Sequence, residues 1–211
     1  MTYILAGLAL VGFIQAQEKP RNIWASQYNA RAAEDMAAQF ENERRPVYRH
    51  RDDIVSFVAP EAGWTVAEIG AGSGFLSRII AAMVGRSGRA IATELDPKMV
   101  DYMNARAARE GLPNFTAVKG SERDAGLEPA SADALVVVNT YSFFDRPGDM
   151  LRSMARALKP RGILAIVDFP KTAGGGVDAE DVKKAAAAAG FDLLEARSIV
   201  PGQFALRFRR R

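Results

Sequence analysis

The stretch Val66-Ala67-Glu68-Ile69-Gly70-Ala71-Gly72-Ser73-Gly74 decides the fold. Thr65–Ile69 is a short apolar run that reads as a strand, and the three alternate glycines that follow open a helix-forming stretch, Phe75–Val84. Glycines after a first strand let the backbone turn tightly and approach a ligand at the carboxyl edge of a sheet. Glu94 lies twenty positions beyond Gly74, at the end of the next apolar run. A carboxylate placed there can accept hydrogen bonds from both hydroxyls of a ribose. Glycines at such junctions also serve as plain turn residues, and a lone glutamate can be a solvated charge. Loop, strand context and acid taken together point to a nucleoside ligand.

Outward from this loop the chain alternates strands and helices. Arg89–Leu95 reads as the second strand, and Pro97–Glu110 as a helix with proline at its favoured first turn. Phe115–Lys119 follows as a strand. Ala134–Val138 is continuously apolar and β-branched, as suits a strand covered on both faces. Pro147–Leu158 places Met150, Leu151, Met154 and Leu158 on one helical face, and Ile163–Phe169 is the fifth strand. Asp178–Ala189 is a helix stopped by Gly190, and Phe191–Val200 with Phe204–Phe208 forms a hairpin around Pro201-Gly202. This alternation predicts a parallel α/β sheet with helices on both faces, closed by an antiparallel strand. Upstream, Ala30–Phe40 and Asp52–Val58 read as helices, the second stopped by Pro60.

The spacing of the loop separates two kinds of nucleoside. A dinucleotide fingerprint needs glycine or alanine at the sixth position, counted from Gly70, so that a pyrophosphate can meet the helix. That position is Phe75, and the pattern is Glu-x-Gly-x-Gly-x-Gly. In this motif, in Ala92-Thr93-Glu94-Leu95-Asp96 and in Leu158-Lys159-Pro160-Arg161-Gly162, the chain resembles the class I S-adenosylmethionine-dependent methyltransferases. The last of these stretches is similar to the L-K-P-G-G turn of the small-molecule enzymes of the ubiquinone/menaquinone-biosynthesis group, with Arg161 in place of the first glycine. The likeness runs from about Arg45 to the C-terminus.

The resemblance implies a Rossmann-like, seven-stranded, mostly parallel sheet of order 3-2-1-4-5-7-6, with S-adenosylmethionine as cofactor. It implies that Glu68, Gly70, Ala71, Gly72, Ser73 and Gly74 line the methionine end and that Glu94 holds the ribose. Leu95 and Met99 would pack near the adenine, with Ser121 in the position of the residue that meets the adenine amino group. The family often has Gly-Asp there, whereas this chain has Gly120-Ser121-Glu122. Asn139, after the fourth strand, would contact the methionine end or the acceptor.

Methyl transfer displaces an already activated sulfonium, so a protein mainly positions the nucleophile and keeps the site dry. A base is needed only when the nucleophile must lose a proton. The candidates for catalysis are Asn139, Tyr141 and His50, the last also readable as a surface histidine between Arg49 and Arg51. Asn139-Thr140-Tyr141-Ser142 lacks both prolines of the N/D-P-P-Y/F motif, which argues against nucleic acid or amide nitrogen as acceptor. The expected acceptor is a small molecule. A nicotinamide-dependent oxidoreductase and a non-catalytic S-adenosylmethionine-binding protein are the alternatives.

Composition bounds this reading. The chain has 211 residues, no cysteine and one histidine, which excludes disulfide scaffolds, thiolate metal sites, cysteine nucleophiles and histidine-rich metal sites. Arsenite-type methylation, which resembles a family using several cysteines, is excluded with them. No metal is expected. The four C-terminal arginines, Arg207, Arg209, Arg210 and Arg211, exceed the net charge of +3, which leaves the rest of the chain at −1. They read as a basic, solubilising tail.

The domain reading is an apolar segment 1–17, a linker and helical cap 18–60, and a cofactor-binding domain 61–211. From Tyr3 to Ile14 the sequence is uninterruptedly apolar or glycine. That is too short for a bilayer core, which needs about 20 residues, but it matches the apolar region of a signal peptide. Export conflicts with a cofactor held inside cells, so a cytoplasmic or cytoplasmic-face, membrane-associated location is expected, with export as the alternative.

Overall fold

Seven strands pair in the order β3-β2-β1-β4-β5-β7-β6 in the computed structural model, which describes residues 31–172 and 175–211. The apolar segment 1–17, the first part of the linker and cap (18–30) and residues 173–174 lie outside the described residues. The strands are β1 (Thr65–Ile69), β2 (Arg89–Glu94), β3 (Phe115–Lys119), β4 (Ala132–Val138), β5 (Leu158–Asp168), β6 (Phe191–Arg197) and β7 (Phe204–Arg210). The first five run parallel, and β7 lies antiparallel between β5 and β6.

Among the described residues, three helices precede the sheet: α1 (Ala33–Phe40), α2 (Pro46–Arg49) and α3 (Arg51–Val58). The crossover helices are α4 (Phe75–Val84), α5 (Pro97–Glu110), α6 (Pro147–Ala157) and α7 (Ala179–Ala188). Strands β1 and β3 and helices α4 and α5 have the bounds predicted from sequence. Helix α5 begins where the Asp96 carboxylate accepts from the Lys98 N–H at 2.9 Å and Pro97 fills the first turn. Asp178 caps α7 in the same way through the Glu180 N–H.

Alternation along the central strands divides the core into two layers. Ala134, Val136, Ala165 and Val167 face a cluster with Ile54 and Val58 of α3, Leu76 and Ile80 of α4, and Met103 of α5. Leu135, Val137, Leu164 and Ile166 face Met150, Leu151 and Met154 of α6, with Val182 and Ala186 of α7. Strands buried on both faces leave the carboxyl edge as the place where parallel strands expose functional groups.

Three sequence expectations need correction. Strand β5 starts at Leu158, not Ile163: the Lys159-Pro160-Arg161-Gly162 stretch is a bulge within the ladder, with Arg161 at φ +64° and the register shifting between Ala132 and Ala134. Four residues at Pro46–Arg49 form a helix that the sequence reading passed over. The C-terminal arginines are not a tail. Arg207, Arg209 and Arg210 belong to β7, Arg210 donates to the Leu158 carbonyl, and the Arg211 N–H donates to the Gly190 carbonyl at 2.9 Å.

Candidate active site

The glycine loop leaves β1 at the carboxyl edge and closes by backbone bonds to β2. The Gly70 and Ala71 N–H groups both donate to the Thr93 carbonyl, at 2.9 and 3.0 Å. Close approach fixes two of the loop residues. A Cβ on Gly70, at φ +74°, would fall 2.3 Å from the Thr140 methyl, and one on Gly72, at φ +58°, would fall 3.1 Å from the Phe40 ring. The loop therefore touches both the segment after β4 and the end of α1.

Glu94 sits where the sequence places it, at the end of β2, and it shapes the loop as well. Its Oε2 accepts from the Gly72 N–H at 2.9 Å and its Oε1 from the Leu95 N–H at 2.7 Å. Each carboxylate oxygen has two lone pairs, so capacity remains for ribose hydroxyls. Leu95 is 49% exposed beside it, and Met99 is buried in α5.

Glu68 has a different setting. Its Oε2 accepts from the Ser77 N–H at 3.0 Å and from the Ser77 hydroxyl at 2.5 Å, both in the interior. Burial pushes its carboxyl up to about 8, with the charge of Glu94 adding and the Ser77 bonds opposing. Glu68 thus ties β1 to α4 beneath the loop as a carboxyl that is mostly neutral at pH 7.

After β4, Asn139 lies at φ +50° and its N–H donates to the Val167 carbonyl at 2.8 Å. Its Oδ1 is buried and has no partner. Tyr141 packs edge-on against Phe144 at 5.5 Å. Burial, and then the charge of Asp181, push its phenol up to about 12, which unsuits it as a base near neutral pH. His50 Nδ1 lies 2.8 Å from Asp53 Oδ2, in a local pair across the start of α3. Ser121 makes a turn with Asp124, accepting from the Asp124 N–H at 3.0 Å.

Sequence reasoning missed two contributors. Asp168, fully buried at the end of β5, accepts from the Ser142 N–H at 3.0 Å, the Ser142 hydroxyl at 3.2 Å and the Phe169 N–H at 2.8 Å. Burial pushes this carboxyl up, and those bonds oppose the shift. A polar residue ending an otherwise apolar strand is the only signal the sequence carried for it. Phe40 is the other, and its contact with Gly72 spans 32 residues.

The residues fit S-adenosylmethionine on their donor and acceptor chemistry. Three buried polar atoms of residues assigned or adjacent to the site have no protein partner: Asn139 Oδ1, Ser73 Oγ and Asp96 Oδ2. Such atoms are rare in folded proteins and mark places where a ligand or water completes the bonding. Phe75 is buried at the start of α4, packed against Tyr48 at 5.3 Å, where a dinucleotide fold requires a small residue. Among the described residues no group of three or more His, Cys, Asp or Glu side chains could hold a metal ion.

Comparison with known proteins agrees with this geometry. Residues 66–162 match the family described as a methyltransferase domain. An uncharacterized methyltransferase of Mycobacterium tuberculosis is 28% identical over 123 residues, covering 58% of this chain and 46% of that protein. The ubiquinone biosynthesis O-methyltransferase of Caulobacter vibrioides is 32% identical over 126 residues, covering 54% of this chain and 44% of that protein. The chain thus spans about half the length of the curated relatives it matches. In three dimensions it is similar to a SAM-dependent methyltransferase from Aquifex aeolicus, with TM-score 0.73, 20% identity, and coverage of 83% of this chain and 98% of the other. Sheet order and glycine loop together give this chain the fold of the solved S-adenosylmethionine-dependent methyltransferases, and residues 66–162 within it are similar to the methyltransferase-domain family.

Proposed function

We propose that this chain transfers a methyl group from S-adenosylmethionine to a small-molecule acceptor. The observation that carries the reading is Glu94, one carboxylate joined to the Gly72 amide at the end of β2, with the unpartnered Asn139 Oδ1 across the loop. When bound, the cofactor supplies a methyl on a sulfonium that leaves as a neutral thioether. The chain's own part is to bind and orient. Glu94 accepts the ribose hydroxyls, Leu95 offers apolar surface to the adenine, and Asn139 Oδ1 accepts from the methionine ammonium. Exposed Phe143 and Phe169, following β4 and β5, make the acceptor's side of the edge apolar and help to exclude water. Tyr141 is too basic as a phenolate, and His50 is engaged with Asp53. The reading therefore favours an acceptor whose nucleophile needs no strong base.

Calorimetric titration of the full chain with S-adenosylhomocysteine and with NADH tests the proposal. Saturable binding of S-adenosylhomocysteine alone is expected. Failure to bind it, or preference for NADH, refutes the reading. Among the described residues no helix is long and apolar enough to cross a membrane. We place the enzyme on the cytoplasmic side because its methyl donor is held there, and mass spectrometry of the native N-terminus checks whether residues 1–16 are retained.

A further inference from the structure

Helix α1 ends at Phe40 and Glu41, and these neighbours have separate attachments to the domain. The Phe40 ring covers Gly72, close enough that a Cβ there would meet it at 3.1 Å. Gly72 is also the residue whose N–H donates to Glu94. The ring therefore lies against the loop residue that is bonded to Glu94, the carboxylate read as the ribose acceptor. The Arg45 guanidinium stands 5.2 Å over the same ring, and its Nη1 donates to the Phe40 carbonyl at 2.9 Å.

Glu41 enters a cluster of four charges. Arg106 Nη1 and Nη2 donate to its two carboxylate oxygens at 2.5 and 3.0 Å, a two-pronged arrangement that fixes direction as well as distance. Arg106 Nε also donates to Glu110 at 2.9 Å, and Arg78 Nε donates to the other oxygen of Glu110 at 2.6 Å. Arg78 Nη1 lies 3.7 Å from Glu41, closing the ring of alternating charge. Arg78 belongs to α4, which the glycine loop opens, while Arg106 and Glu110 belong to α5, which Asp96 caps. Glu41 is the one member from the cap, and its side chain is 15% exposed. Within α1 only Met36 and Ala37 are buried, so this cluster is a major hold on the helix.

We propose that Phe40 is the roof over the nucleoside end of the cofactor site and that the Glu41–Arg106–Glu110–Arg78 cluster latches it shut. The inference rests on the S-adenosylmethionine reading. Phe40 is then a cofactor-contacting residue, and Glu41 a positioning residue that acts through it. Nucleoside release requires the roof to lift, which breaks the two bonds between Glu41 and Arg106. Because the four charges are partly solvated, salt weakens the latch.

The test is the dissociation rate of S-adenosylhomocysteine from the full chain, measured by displacement at salt from about 0.05 to about 0.5 M, a range that shortens the screening length several-fold. In the unmodified protein the rate rises with salt. Glu41→Gln raises it about tenfold at low salt and flattens the salt dependence, as expected when one partner of a partly buried ion pair is removed. Arg106→Lys, which keeps the charge and loses the fork, falls between the two. Phe40→Ala speeds release at every salt concentration. A Glu41→Gln rate and salt profile matching the unmodified protein overturns the latch, and an unchanged Phe40→Ala rate overturns the roof. Should Glu41→Gln fail to fold, Arg106→Lys and the unmodified salt series decide by the same criteria. If the unmodified protein binds no S-adenosylhomocysteine, the cofactor reading itself fails and this inference goes with it.

Discussion

Replacing Glu68 by glutamine isolates the energetic consequence of a carboxyl buried beneath the loop. In the folded chain its pKa is about 8, against 4.5 for an ordinary glutamate, and burial is the largest cause. The folded state holds this proton more tightly than the unfolded one. The group's contribution is therefore most favourable below pH 4.5 and declines as pH rises to about 8. Linkage sets the full decline at about 5 kcal/mol, of which about 3 kcal/mol falls between pH 5.5 and pH 9. Glutamine cannot ionise, and its carbonyl can accept from both the Ser77 N–H and the Ser77 hydroxyl in place of Oε2. Urea unfolding of the unmodified protein and Glu68→Gln at the two pH values reads the difference directly, because all other titrating groups cancel. The stability advantage of the glutamine form should grow by about 3 kcal/mol from the lower to the higher pH. An advantage that stays constant to within about 1 kcal/mol would show that Glu68 is charged in the fold, and the reasoning from burial would be wrong.

Gly72→Ala adds a methyl against the Phe40 ring at φ +58°, a backbone position costing a non-glycine residue roughly 1–2 kcal/mol. Calorimetry should show S-adenosylhomocysteine binding weakened at least about tenfold, and an unchanged Kd would contradict the close contact. Glu94→Gln exchanges a charged acceptor for a neutral one at Gly72 and the ribose, so Kd should rise between about tenfold and about a hundredfold. Retained affinity would remove Glu94 from the site. Arg161→Gly relieves the left-handed position at φ +64° but loosens the unfolded chain, for a net gain of about 1 kcal/mol and a rise in Tm of about 2–4 °C. A lower Tm would mean that the arginine side chain stabilises the bulge.

Local pattern carried most of the fold and the placement of the glycine loop and Glu94 at one edge of the sheet. The Pro97 first turn, the Gly70–Gly74 loop and the apolar Ala134–Val138 run each contain their own structural instruction within a few residues, and the observed elements follow them. Two breakers misled. Pro160 and Gly162 read as the end of a turn, yet pairing resumes across the Arg161 bulge, so β5 gains five residues at its start. Arg207, Arg209, Arg210 and Arg211 read as a tail, yet β7 runs past the predicted end at Phe208 to Arg210 and carries three of them into the sheet. The place of Glu94 beside the loop was legible because strand end and loop lie at a fixed spacing in this architecture. The direction of the Glu68 carboxyl was not, since Ser77 faces it only after α4 packs on β1. The Glu41–Arg106 pair joins residues 65 apart, and no pattern along the chain could announce it.

The bond from Gly72 to Glu94 has a consequence for how this chain could diversify. One carboxylate is bonded to the loop and, on the proposed reading, also receives the sugar. A substitution at position 94 that welcomed a differently decorated ribose, such as one bearing a 2′-phosphate, would slacken the loop in the same step. On that reading loop and ligand choice are inherited as a unit, so divergence at lower cost lies elsewhere on the carboxyl edge, at the exposed Phe143 and Phe169.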